Sequence, residues 1–106
     1  MQVQINGPHE TIPEAFAEFI TRSITDELAP HESQLTRVEV HIKDQNGHKN
    51  GVDMRCLIEA RPRGLKPVAA EHDGGTAREA FKGALDKLQR VLAHRFGRLE
   101  SKGRRE

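Results

Sequence analysis

Apolar and polar positions alternate cleanly over residues 35–43. Val38, Val40 and Ile42 fall on one side, Arg37, Glu39, His41 and Lys43 on the other, which is the period-two mark of a strand with one buried face. A second alternating run covers about 51–61. Val52, Met54, Cys56, Ile58 and Ala60 take its apolar side, Asp53, Arg55, Glu59 and Arg61 its polar side, and Leu57 is the exception. Asn46-Gly47 between the two runs marks a hairpin whose loop exceeds two residues. Pro62-Arg63-Gly64 predicts a turn, followed by a strand at about 66–72. Pro67 cannot donate to a ladder, so this strand belongs at a sheet edge. At the start of the chain, Val3 and Ile5 alternate with Gln2 and Gln4, predicting a short strand that Asn6-Gly7-Pro8 breaks.

Two stretches carry helical spacing instead. Thr11-Ile12-Pro13-Glu14 has the form of a capping box, and Ile12, Phe16, Phe19, Ile20 and Ile24 then line one side up to a stop before Pro30. Asp73-Gly74-Gly75 breaks the chain again. Thr76-Ala77-Arg78-Glu79 is a second capping box, and Ala77, Phe81, Ala84, Leu85, Leu88, Leu92 and Phe96 form a stripe that carries the helix to Phe96 or beyond. The order β-α-β-β-β-α, with one apolar sheet face, predicts an α+β two-layer sandwich: a four-stranded mixed sheet with both helices on one face. The right-handed crossover rule makes the first two strands parallel neighbours. One domain spans 1–98, and 99–106 reads as a basic, flexible tail.

Charge changes the picture. The net value of +1 conceals an acidic residues 1–34, with one base and six acids, and a basic remainder with 16 bases and 10 acids. From Lys87 onward there are seven bases and two acids, so a polyanion meets the C-terminal part. On a helical wheel with Phe81 at zero, Lys87, Arg90, His94 and Arg98 fall together between roughly 180° and 260°. That spacing suits a phosphate backbone; equally, cations near a helix C-terminus stabilise its dipole. The polar strand faces add Arg37, Lys43, Arg55 and Arg61, with Lys49 in the loop, and Arg104 and Arg105 can extend the stripe. There is no Trp or Tyr, and all four Phe fit core stripes, so recognition of shape and backbone is favoured over base stacking.

Other chemistry finds little footing. The six histidines are scattered without metal-ligand spacing, and Cys56 belongs to a core face, so no metal and no cofactor is expected. No Gly-x-Ser-x-Gly occurs, and Gly74-Gly75 lacks a nucleotide-binding context; the chain reads as non-enzymatic, without a small-molecule substrate. The single cysteine suits a reducing compartment, and no stretch approaches a membrane span, which together predict a cytoplasmic protein.

The start Met1-Gln2-Val3-Gln4-Ile5-Asn6-Gly7, the acidic helix, the three-strand meander and Ala80-Phe81-x-x-Ala84-Leu85-Asp86-Lys87-Leu88-x-Arg90 resemble the ribosome hibernation-promoting factor family, also called the sigma-54 modulation or protein Y family. The resemblance covers about residues 1–98 and is most specific at Asp86-Lys87-Leu88-x-Arg90-x-Leu92 with His94 following. It implies the β-α-β-β-β-α fold and a stress-phase translation inhibitor of the short form. Such a protein binds small-subunit rRNA and occludes the mRNA and tRNA channel; off the ribosome the chain is expected to be a monomer. The resemblance places Lys87, Arg90 and His94 against RNA. The chain departs from the family pattern at Arg78, where an aromatic is common, and at Lys82, where an acid is frequent. Two other readings stay open: a double-stranded-RNA-binding module acting off the ribosome, which would lack the first strand, and a protein-interaction regulator of transcription that never touches RNA.

Overall fold

In the computed structural model, residues 2–6 enter the sheet as a parallel neighbour of the long second strand. The structure describes residues 1–45 and 54–104, with side chains as far as residue 97. The strands β1 (Gln2–Asn6), β2 (Leu35–Asp44), β3 (Met54–Pro62) and β4 (Val68–Gly74) lie in the order β1-β2-β3-β4. β1 runs parallel to β2, and the other pairs are antiparallel. Helices α1 (Glu14–Glu27) and α2 (Ala77–Arg104) complete the order β-α-β-β-β-α. The pairing of β1 removes the basis for a double-stranded-RNA-binding fold, which has no strand there.

The alternation sorts the sheet as expected. Val38, Val40, Ile42, Cys56, Ile58 and Ala60 are buried beneath the helices, together with Ile20, Ile24 and Leu28 from the first helical segment and Phe81, Leu85, Leu88, Leu92 and Phe96 from α2. Phe81 sits edge-on to both Phe16 and Phe19, at ring separations of 6.4 and 6.0 Å, a favoured aromatic geometry. This cluster ties the two helices over the core. Arg78 places its guanidinium 4.0 Å from the Phe19 ring centre, filling a position where the family resemblance implies an aromatic. Burial pushes the Cys56 thiol up to about 12, so it acts as a small hydrophobe.

Two expectations need correction. Thr11 does not cap α1: Pro13 is the N-cap residue, without a side-chain hydrogen bond. The Thr11 and Ile12 amides are spent on the Pro8 carbonyl in a preceding turn. β4 begins at Val68, after Pro67, and continues through Gly74. Asp73 therefore lies inside a strand, held there by a cross-strand pair with Arg55. As expected, α1 stops before Pro30; a 3-10 segment, Ala29–Gln34, follows it.

The second capping box forms with its return bond displaced by one residue, from Thr76 to Gly75. The Glu79 amide donates to Thr76 Oγ1 at 3.1 Å, and Glu79 Oε1 accepts from the Gly75 amide at 3.0 Å. Gly64 takes φ +69° in the β3–β4 turn, a conformation that favours glycine. The hairpin read at Asn46-Gly47, Lys49, and the positions of Val52 and Asp53 lie outside the described residues.

Candidate nucleic-acid interface

The basic positions divide between two surfaces. Lys87, Arg90 and His94 are exposed along one flank of α2; Arg98 lies in the same helix, and its side chain, like those of Arg104 and Arg105, is outside the described residues. Arg37, Lys43, Arg55 and Arg61 project from the sheet face that no helix covers. The surfaces meet at β4, where Lys87 Nζ donates to the Glu71 carbonyl at 3.1 Å. Further along, Arg95 Nη1 donates to the Lys66 carbonyl at 2.8 Å and lies half-buried along the core edge.

The helix passes close to the edge strand because Gly83 has no side chain. A methyl group there would overlap the His72 ring. Gly83 and His72 thus set how deeply α2 settles against β4, and with it where Lys87 emerges.

On the helix, Arg90 Nη2 donates to Asp86 Oδ2 at 2.7 Å, with the two side chains 75% and 58% exposed. A pair this open contributes about 0.3–0.5 kcal/mol, so an incoming phosphate readily takes the guanidinium from it. Among the described residues, Lys87 has its carbonyl contact and no ion pair. His94 makes no ion pair among the described residues.

The sheet face is different, because its arginines are already matched by acids. Arg37 and Arg61 lie directly across from one another in the β2–β3 ladder, as do Glu39 and Glu59. Like charges opposite one another repel, and the checkerboard resolves this. Arg37 reaches Glu39 at 2.8 Å and Arg61 reaches Glu59 at 2.9 Å, while Arg61 also approaches Glu39 at 3.6 Å. His41 Nε2 completes the group at 3.4 Å from Glu39. Hydrogen bonding from Arg37, aided by the charges of Arg37, Arg61 and His41, holds the Glu39 carboxyl below its ordinary range against the opposing effect of burial. Arg55 grips Asp73 with two hydrogen bonds, at 2.8 and 3.3 Å, which lowers the Asp73 carboxyl and raises the Arg55 guanidinium. Lys43 alone of the four makes no ion pair among the described residues.

Glu39, Glu59 and Asp73 are the residues the alternation pattern does not single out. Glu39 and Glu59 look like ordinary polar-face positions, though each pairs with an arginine two places away on its own strand, and Asp73 looks like part of a break until the strand register sets it across from Arg55.

The sequence of residues 3–100 matches the family described as Sigma 54 modulation protein / S30EA ribosomal protein. This chain belongs to that family. The sigma 54 modulation/S30EA family is described by association with the ribosome rather than by a reaction. Its fold recurs here in two solved structures. One is a ribosomal subunit interface protein from Coxiella burnetii, with 14% identity, TM-score 0.72, and coverage of 92% of this chain and 99% of that one. The other is the Protein Y N-terminal domain from Thermus thermophilus, with 18% identity, TM-score 0.68, and coverage of 91% and 99%. No curated protein sequence matches the chain significantly. Among the described residues, no helix of this family member is long and apolar enough to cross a membrane.

Proposed function

We propose that this member of the sigma 54 modulation/S30EA family is a ribosome-associated translation inhibitor of the hibernation type. It binds small-subunit rRNA in the cytoplasm and occludes the channel used by mRNA and tRNA. The observation that carries the reading is the exposed ridge of Lys87, Arg90 and His94 on α2, in a chain whose family is defined by the ribosome.

The ridge acts by occupancy and needs no reaction step. Lys87 supplies a compact ammonium, and Arg90 supplies a planar fork that grips a phosphate once it leaves Asp86. Each phosphate neutralised releases counterions, so affinity falls steeply with salt. Arg37, Arg55 and Arg61 are secondary in this scheme, because each would have to exchange a carboxylate for a phosphate. The acidic α1 faces away from RNA or meets a basic ribosomal protein.

The test is cosedimentation of the monomeric protein with small subunits at moderate salt. Wild type pellets with the subunit and competes with mRNA and tRNA for it; Lys87→Glu with Arg90→Glu stays in the supernatant while its thermal transition is preserved. Retention of the double variant on the subunit removes the proposed ridge. Salt-insensitive binding to another protein, with no ribosome association, supports the transcription-regulator reading instead.

A further inference from the structure

The uncovered sheet face holds a depression of about 330 Å³, walled by His41, Lys43, Arg55, Leu57 and Glu71. That volume lies within the range of small-ligand sites. Two cross-strand rows build it. His41, Leu57 and Glu71 face one another across β2, β3 and β4, and Lys43, Arg55 and Asp73 form the next row. Neighbours in such rows stand about 5 Å apart, so the side chains surround one shared space.

We infer that this depression seats a single unpaired RNA base bearing an exocyclic amino group, beside the ridge that holds the backbone. The inference rests on the RNA reading above and assigns a second, base-recognising contact within it. Each wall has a matching part in a nucleotide. Leu57 is a half-buried apolar side chain on a polar face, and it offers a floor for the flat of a base. The Arg55 guanidinium is held in a fixed plane by its two bonds to Asp73, and His41 lines the same depression from the neighbouring row; both are group types on which bases stack. The Glu71 carboxylate makes no hydrogen bond among the described residues, and an acid accepts from an amino group at a base edge. Lys43, which makes no ion pair among the described residues, stands at the rim for the attached phosphate. Glu71 also links the two surfaces: its carbonyl receives Lys87 while its side chain lines the seat, so one strand of RNA can cross β4 from ridge to depression.

The test is a titration of the free protein with GMP, CMP, AMP and UMP, followed by NMR. It involves no ribosome, so its result is separate from that of the cosedimentation. GMP, CMP and AMP shift the signals of His41, Leu57 and Glu71, with a dissociation constant on the order of 1 mM. They bind at least about fivefold tighter than UMP, which has no amino group. Glu71→Ala abolishes that preference, and Lys43→Ala removes the advantage of GMP over guanosine; both positions are exposed, so the fold is kept. Leu57→Asp eliminates the shifts. Equal binding of UMP and GMP to the wild type, shifts confined to α2, or a preference that survives Glu71→Ala would each overturn the seat and leave the ribosome reading to its own experiment.

Discussion

Lys87 and Glu71 meet where α2 crosses the edge strand: the ammonium donates to the Glu71 carbonyl at 3.1 Å. A cation of the ridge is thereby also a latch between helix and sheet. The bond is single and exposed, so its share of stability is on the order of 1 kcal/mol or less. Replacing Lys87 with Met should leave the thermal transition nearly unchanged. The slope of log affinity for small subunits against log salt should become shallower by about 0.7–0.9, the value for one phosphate left without its cation. An unaltered slope would show that Lys87 serves only as the latch.

Asp86 competes with RNA for Arg90. Asp86→Asn frees the guanidinium and removes a negative charge from the ridge, so ribosome affinity should rise several-fold. Denaturant titration should show a stability change of about 0.5 kcal/mol or less, the scale of an exposed pair one helical turn apart. Weaker binding by the variant would mean that the Asp86–Arg90 pair itself is what the partner recognises.

Acid should loosen the sheet face. Glu39 lies below its ordinary value of 4.5, first through the hydrogen bond from Arg37, and Asp73 below its ordinary value of 3.8, first through that from Arg55. A depressed carboxylate binds fewer protons in the folded chain than in the unfolded one. Its stabilisation is complete above the unfolded value and disappears as pH falls through the lower folded value. The thermal midpoint should therefore decline as pH drops below about 4, and Glu39→Gln with Asp73→Asn should flatten that limb. The same acid limb in the double variant would place the titration elsewhere.

Gly83 has no room for a side chain. Gly83→Val should push α2 off β4 by driving its methyl groups into the His72 ring, with a destabilisation of about 1–3 kcal/mol from overpacking. Adding His72→Ala should recover part of that stability in a double-mutant cycle. Purely additive effects would mean that valine harms the helix by itself and not through His72.

Periodicity alone was enough for the strands, for α2 and for the side of the sheet that faces water, because Val38, Val40 and Ile42 have no other way to share a core. The two helices could be assigned to one layer for the same reason. Local signals were weaker guides. Thr11 and Glu14 have the spacing of a cap, yet Pro8 draws the Thr11 amide into a turn first. Asp73 beside two glycines resembles a break, yet Arg55 across the ladder holds it in β4. The ridge was legible because Lys87, Arg90 and His94 belong to one helix, where spacing fixes direction. The pairing of Arg55 with Asp73 was not, since it depends on the register between two strands; Arg37 and Arg61 each meet an acid two positions along their own strand, a spacing that the alternation already contains.

Cys56 is the sole sulfhydryl of the chain. It is fully enclosed beneath the helices and shifted far from thiolate formation. Thiolate is the species that alkylating reagents attack, so labelling must wait until the molecule opens. The rate of its modification is therefore a built-in clock for the opening of the core, readable by mass spectrometry and slowed by any partner that binds only the closed form.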